Sequence, residues 1–469
     1  MDCQGVGWRV VLRFRLLHRS YNTKDIRRLI GAAALVDNWP LNVRTKFWMF
    51  RGLRRIKQKR YSEALESFDK IICADPASSV ALARAAFCLN ELKRYDEAIA
   101  TYERSLQGAP QYGDVHAYLA QIYSRLERHQ EAYDSFHRAF RIRPKLKENP
   151  YWLQLLGNVC LQLTLWEEAR AAFEKIAESQ KSNEDVWLGL GISLGNLDRW
   201  QEALDAFQRM TETNTNNGKA WHGVGWTLAH LNRESETLAP LQRAIQLDPE
   251  NAGAYRELGD SYYKLHRYKE AVEQFQEYVR LKPNDPAGHH SLGIAYCELG
   301  EFGLAVNPIS EALSLGPKFA EVYFTLGLVH SELGQKEKAA RALRDSLRLD
   351  PENADAYLLL GCALHEPGTL AEATAAYRKS LELKPGQLGA LANLGDAYLQ
   401  MGEIEKAKGT LTDARKLNSN DSKLHRSLGE LYLKLGMRED AYREREVLSQ
   451  LDPLLADELA KLLDAPPHS

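Results

Sequence analysis

The stretch Ala252 to Asp285, AGAYRELGDSYYKLHRYKEAVEQFQEYVRLKPND, decides the fold. Tyr255, Leu258, Gly259 and Tyr262 recur at helical spacing in its first half, and Ala271 and Phe275 do so in its second. Gly259 and Ala271 are small enough to let two helices approach, and Tyr255, Leu258, Tyr262 and Phe275 fill the volume between them. Pro283 cannot extend a helix, so it ends the second one and sets the turn that follows. The stretch reads as a helical hairpin.

The same chemistry returns along the chain with a period of 34 residues. Prolines fall at Pro76, Pro110 and Pro144, then at Pro249, Pro283, Pro317, Pro351 and Pro385, with Pro453 two periods later. The 105 residues from Pro144 to Pro249 are three periods plus three, which places one insertion near Lys145 to Asn149. Twelve units result, starting at residues 45, 79, 113, 150, 184, 218, 252, 286, 320, 354, 388 and 422. The eighth position is Gly in ten of the twelve, with Ala86 and Ala120 the exceptions; the twentieth is Ala in eleven, with Thr237 the exception. Such a register excludes chance.

The pattern resembles the tetratricopeptide repeat family, whose W-x2-L-G-x2-Y...A-x3-F...P signature is met by Tyr255, Leu258, Gly259, Tyr262, Ala271, Phe275 and Pro283. The resemblance covers residues 45 to about 455. It implies an all-α fold: an α-solenoid of tandem hairpins forming a right-handed superhelix, first helices on the concave face and second helices on the convex one. One hairpin cannot bury its own apolar faces, so neighbours must stack and the ends must be covered. Leu454, Leu455, Leu459, Leu462 and Leu463 mark a capping helix over Leu454 to Asp464, before a short Ala465-Pro466-Pro467 tail.

The expected organisation is a basic segment over 1–44 with short helices, repeat units 1–3 over 45–146, units 4–12 over 150–455, and a capping helix with tail over 456–469. The insertion makes units 1–3 a subdomain in this reading, joined most weakly to unit 4. Pro240 and Pro308 fall inside second helices, where a bend on the outer face is expected.

Charge is uneven. Residues 1–60 hold 15 Lys and Arg against 3 Asp and Glu, a net of +12, so the formal -2 of the chain leaves -14 for the rest. Trp8, Val11, Leu12 and Leu16 share a helical face with Arg9, Arg13 and Arg15 between them, and a second helix is expected over Asp25 to Val36 with Ile26, Leu29, Ile30 and Ala33 on one side. Such an end can dock on anionic lipid, on nucleic acid, or on the acidic surface of its own chain or a second copy, and the Asp25 to Val36 helix is placed to cap the first unit. Basic charge confined to one end argues against nucleic acid as the partner of the repeats. The expected location is cytoplasmic, the alternative being mitochondrial if the Arg-rich start is a transit peptide. No apolar run approaches the roughly 18 residues of a spanning helix.

A catalytic constellation has little space outside the repeats, and G-x-x-x-x-G-K-[ST], G-x-S-x-G and H-E-x-x-H are all missing. No enzyme activity, cofactor or metal is expected. The Gly-x-Gly triplets at Gly189–Gly191 and Gly223–Gly225 lie inside helices and read as packing devices. Six cysteines without a C-x-x-C pair fit a reducing compartment. Cys362 and His365, one turn apart, supply at most two metal ligands; His116, His289 and His425 stand where the family has Trp, Tyr or Leu and are expected to pack. The lysine and asparagine clamp by which chaperone co-factors of the family hold carboxylate tails is not matched: Asn158 is in place, but its partner position holds Gln154.

The first-helix positions left over from packing point into the groove. In units five to seven they are Leu188, Ile192, Trp226, Arg256, Asp260 and Tyr263; in units eight to ten, Ile294, Phe324, Leu328 and Leu358, rimmed by Glu298, Glu321, Glu332 and Glu366. An apolar floor with an acidic rim fits a protein or peptide segment that is apolar on one side and basic on the other. The expected function is a non-catalytic scaffold or adaptor. The alternative is a self-assembling or membrane-surface structural protein that uses its basic N-terminus.

Overall fold

The computed structural model describes residues 40–180, 182–316, 318–417 and 420–464; the Trp8–Arg19 and Asp25–Val36 segments lie outside them. The described residues form 25 α-helices and no strand, and each repeat unit is one antiparallel hairpin. Hairpin 1 pairs Leu41–Lys57 with Tyr61–Ala74, hairpin 7 pairs Ala252–Lys264 with Tyr268–Leu281, and hairpin 12 pairs Ser422–Lys434 with Arg438–Leu451. Pro453–Asp464 closes the series. The chain divides into two compact units, Met1–Thr215 with hairpins 1–5 and Asn216–Ser469 with hairpins 6–12. No described helix is long and apolar enough to cross a membrane.

Local chemistry explains where helices begin. Asn149, Asn217, Asn251, Asp285, Asn353 and Asp421 each accept a hydrogen bond from a backbone N–H of the first turn, as at Asn251 Oδ1 with the Ala254 N–H at 3.2 Å. Second helices end one or two residues before the periodic proline, as at Ala74 before Pro76.

The eighth position is small because a ring lies on it. A Cβ on Gly259 would stand 2.7 Å from the Phe275 ring, and one on Gly361 2.4 Å from Tyr377. Phe275 and Tyr377 are buried beneath those helices. Gly189 faces Phe173 of the preceding hairpin at 2.4 Å while Gly191 faces Phe207 of its own at 2.6 Å, which is why the triplet needs two glycines. In hairpin 6 Thr237 is buried and satisfies its hydroxyl on the Glu234 carbonyl at 2.7 Å. Pro240 and Pro308 are accommodated within helices Glu234–Leu247 and Phe302–Leu315.

Two places depart from the simple repeat. The insertion is a 3₁₀ turn, Pro144–Glu148, that buries Leu146, and Trp152 beyond it packs edge-on to Tyr118 and Phe136 at 5.5 and 6.3 Å between ring centres. In hairpin 12 the ring position holds Arg445, which is exposed, and the slot over Gly429 is filled by Leu459 of the closing helix. The second helix instead buries Glu444, which pairs with His425 and, at 3.0 Å, with Arg415.

Candidate functional site

Each first helix carries its unused positions at spacings of three and four residues, so they share one face. That face is knitted across neighbouring hairpins by polar side chains. In the first unit Asn90 Nδ2 donates to Gln121 Oε1 at 3.2 Å, Gln121 donates in turn to the Tyr151 hydroxyl, and Arg125 donates to Asn90 Oδ1 at 3.3 Å. Asn90 and Gln121 are buried. Leu188 and Ile192 belong to this unit, half-buried in helix Glu184–Gly195.

In the second unit the ladder is built of other residues. His222 lies 3.4 Å from Asn251 and against Gly253; His290 reaches the Thr325 hydroxyl at 3.2 Å; Tyr263 donates to Glu298 at 3.2 Å. Burial lowers the pKa of both His222 and His290, so these imidazoles are neutral at pH 7. Burial and the nearby Glu298 push the Tyr263 hydroxyl up to about 12. Further along, Asn393 donates to Cys362 Sγ at 3.2 Å, and His365 touches Asp396 and Tyr377 at 3.2 and 3.0 Å. Cys362 and His365 are thus engaged in packing contacts, and the described residues contain no group of three or more metal-ligating side chains.

Asp260 is the electrostatic centre of this face. Its burial, aided by neighbouring Glu257, raises its pKa to about 6 against the opposing pull of Arg256 and Lys264. Arg256 is exposed and lies 3.3 Å from Glu257. Trp226 is half-buried, with its ring edge-on to His230 at 5.3 Å.

The apolar candidates divide. Phe324 packs on the buried cluster around Leu343 and Leu360, and Leu358 on that around Tyr377 and Leu394. Ile294 and Leu328 are partly buried, as these two are. Down helix Ala320–Glu332 the residues Glu321, Phe324, Leu328 and Glu332 follow at spacings of three, four and four, which lines up an apolar centre between two carboxylates. Both of those glutamates are exposed and without an ion-pair partner among the described residues, whereas Glu366 is paired with Lys336 at 2.9 Å and Glu298 accepts from Tyr263. His116 and His289, expected as packing residues, are buried and reach the carbonyls of Pro110 and Pro283 at 3.3 and 2.9 Å.

Sequence reasoning missed the amide ladder of hairpins 2–4, although Asn90, Gln121 and Tyr151 stand at the same repeat positions as the candidates chosen further on. It also missed a cavity of about 420 Å³ in the first unit, where Trp187, Leu190 and Leu194 form a floor, Glu178 and Asp205 stand at the edge and Arg209 covers the Trp187 ring at 5.3 Å.

The family model described as the cilia and flagella-associated protein 70 C-terminal domain, of tetratricopeptide type, matches residues 53–291 and 251–451. No curated protein matches the sequence. Among solved structures, the chain is similar to the anaphase-promoting complex hetero-tetramer Cut9-Hcn1, at 16% identity and TM-score 0.43, over 90% of this chain and 96% of that one. PilF of Pseudomonas aeruginosa is similar at 20% identity and TM-score 0.40, over 45% and 97%. MamA of Desulfovibrio magneticus RS-1 is similar at 26% and 0.35, over 36% and 95%.

Proposed function

From a chain that belongs to the family of the cilia and flagella-associated protein 70 C-terminal tetratricopeptide domain, we propose a non-catalytic adaptor. It holds a segment of a partner protein, apolar on one side and basic on the other, on the first-helix face of its second compact unit. The carrying observation is the Glu321–Phe324–Leu328–Glu332 row, where a partly exposed Leu lies between two unpaired carboxylates. Partly exposed apolar area at the centre of a surface gains from being covered, and uncompensated carboxylates at its edge favour a cationic rim on the partner. Trp226, Arg256, Asp260, Tyr263, Ile294 and Leu358 extend the same face through hairpins 6, 7, 8 and 10. Leu188 and Ile192 offer comparable apolar area in the first unit.

The test uses a synthetic Leu/Lys amphipathic peptide and fluorescence anisotropy. Ile294→Ser with Leu328→Ser lowers affinity at least about tenfold, as expected for two contacts near the centre of an interface. Because Asp260 loses its proton as pH rises through about 6, affinity for the cationic peptide increases between pH 5 and pH 7. A double variant that binds as well as the parent, or a Leu/Glu peptide that binds better, refutes the reading.

A further inference from the structure

Hairpin 1 presents a surface that no later hairpin has. Residues 41–60 carry eight Lys and Arg and no Asp or Glu. Arg55 and Arg60 are neutralised by Glu63, and Arg51 lies over the Trp48 ring at 5.2 Å. Lys46, Arg54 and Lys57 are exposed and have no ion-pair partner among the described residues. The Arg60–Glu63 pair recurs at the same turn position as Arg94–Glu97, Arg128–Glu131, Arg199–Glu202, Arg233–Glu236 and Arg267–Glu270, so what sets helix Leu41–Lys57 apart is its run of cations without an acidic residue. The helix dipole accounts for positive charge at Arg54, Arg55 and Lys57 in the last turn, but it gives no reason for Lys46, which lies beyond the first turn.

The three unpaired cations share one face with apolar side chains. Val43, Lys46, Phe50, Arg54 and Lys57 follow at spacings of three, four, four and three, opposite the buried Trp48 and Gly52. Phe50 is 44% exposed at the middle of this row. In each of the eleven later hairpins the position of Arg54 is buried, by Cys88, Ile122, Val159, Ala295, Val329 and Leu431 among others. There the face is covered by the hairpin before it. A further hairpin stacked on hairpin 1 in the same register would bury the Arg54 guanidinium and would have to supply it with a carboxylate.

We propose that this face docks on an anionic lipid surface. Cations at both ends of the row meet headgroup phosphates and carboxylates, while Phe50, with Val43 beside it, enters the boundary between headgroups and acyl chains. A nucleic-acid backbone would answer the charge but leave the central ring in water. The proposal is independent of the peptide-binding face, whose residues lie in hairpins 6–10.

The test is co-sedimentation of the full chain with vesicles of phosphatidylcholine carrying about 30 mol% phosphatidylserine, against vesicles of phosphatidylcholine alone. The expected result is pelleting with the former only, reversed at about 0.5 M salt, where charges are screened within a few ångströms. Joint Lys46→Glu, Arg54→Glu and Lys57→Glu lowers the partition coefficient about 100-fold or more, each cation near an anionic bilayer being worth roughly fivefold. Phe50→Ser alone lowers it several-fold, and joint Lys46→Arg, Arg54→Lys and Lys57→Arg retains binding. All side chains replaced here are exposed, so circular dichroism melting curves stay those of the parent. Equal pelleting with both vesicle types overturns the proposal, as does undiminished binding by the triple reversal. So does soluble polyglutamate bound as tightly as the vesicles with no loss on Phe50→Ser, which would assign the face to an acidic polypeptide.

Discussion

Hairpins 2 and 3 and hairpins 8 and 9 share one repeat pattern, yet they close their turns and cover their first-helix faces with different chemistry. In all four, the turn between the two helices holds one residue at positive φ. Hairpins 2 and 3 place Lys93 and Glu127 there, at 60° and 59°, while hairpins 8 and 9 place Gly300 and Gly334, at 74° and 68°. Directly after Lys93, Arg94 donates from Nε and Nη2 to both oxygens of Glu97, at 2.7 and 2.6 Å, and Arg128 does the same to Glu131. At the matching positions hairpins 8 and 9 have Glu301 with Leu304 and Gln335 with Lys338, which make no such clamp. The left-handed conformation costs an ordinary residue roughly 1–2 kcal/mol and glycine almost nothing. In these four hairpins the same turn is made either by glycine or by a strained residue followed by a charged clamp. The faces differ likewise: a buried amide chain through Asn90 and Gln121 against partly exposed Ile294 and Leu328. One pair of hairpins joins its faces through a chain of amides; the other joins them through His290 and Thr325 and keeps Ile294 and Leu328 partly exposed.

The largest expected effect separates the two faces. Asn90→Leu leaves the buried Gln121 amide short of a partner and destabilises the chain by about 2–3 kcal/mol, whereas Thr325→Val, at the His290 contact, costs about 1 kcal/mol. Urea unfolding read with hydrogen exchange at each hairpin measures both, and equal costs would break the comparison. The turns come next. Gly334→Ala destabilises by about 1 kcal/mol, and Lys93→Gly stabilises by less than that because glycine also loosens the unfolded chain. Nothing lies within 4 Å of a Cβ placed on Gly334, so its cost is purely one of backbone conformation. Two substitutions with the same sign would remove the distinction. The clamp gives the smallest signal. Arg94 holds the Glu97 carboxyl below its ordinary 4.5, so the stabilisation is present above that pH and is lost as the pH falls beneath it. Glu97→Gln should abolish this acid-dependent part of hairpin 2 while leaving hairpin 8, which lacks the pair, unaltered; a melting series from pH 7 to pH 3 sharpens the contrast.

How far the sequence reaches depends on which residues meet. Gly259 and Phe275 are 16 positions apart within one hairpin, and their meeting follows from the repeat alone. The candidate face follows from subtracting packing positions, which selects a helix side but cannot tell that Phe324 packs on the cluster around Leu343 and Leu360. That packing rests on contacts with the next hairpin, whose side chains the pattern does not fix. Polar residues such as Asn90 and Gln121 carry no periodic signal, so their buried pairing was illegible although each stands in a recurring position.

The amino-acid order by itself determined the number of hairpins, their register, the small-on-large packing inside each, and the basic character of the first of them. Those features depend on contacts at constant separation along the chain, which periodicity encodes directly. Tertiary structure alone decided that Leu459 of the closing helix takes the ring's place over Gly429, that Glu444 is buried against His425 and Arg415, and that Lys46, Arg54 and Lys57 are exposed with no ion-pair partner among the described residues. Each of these lies in the first or the last hairpin, where the contacts are not those that the periodic pattern repeats.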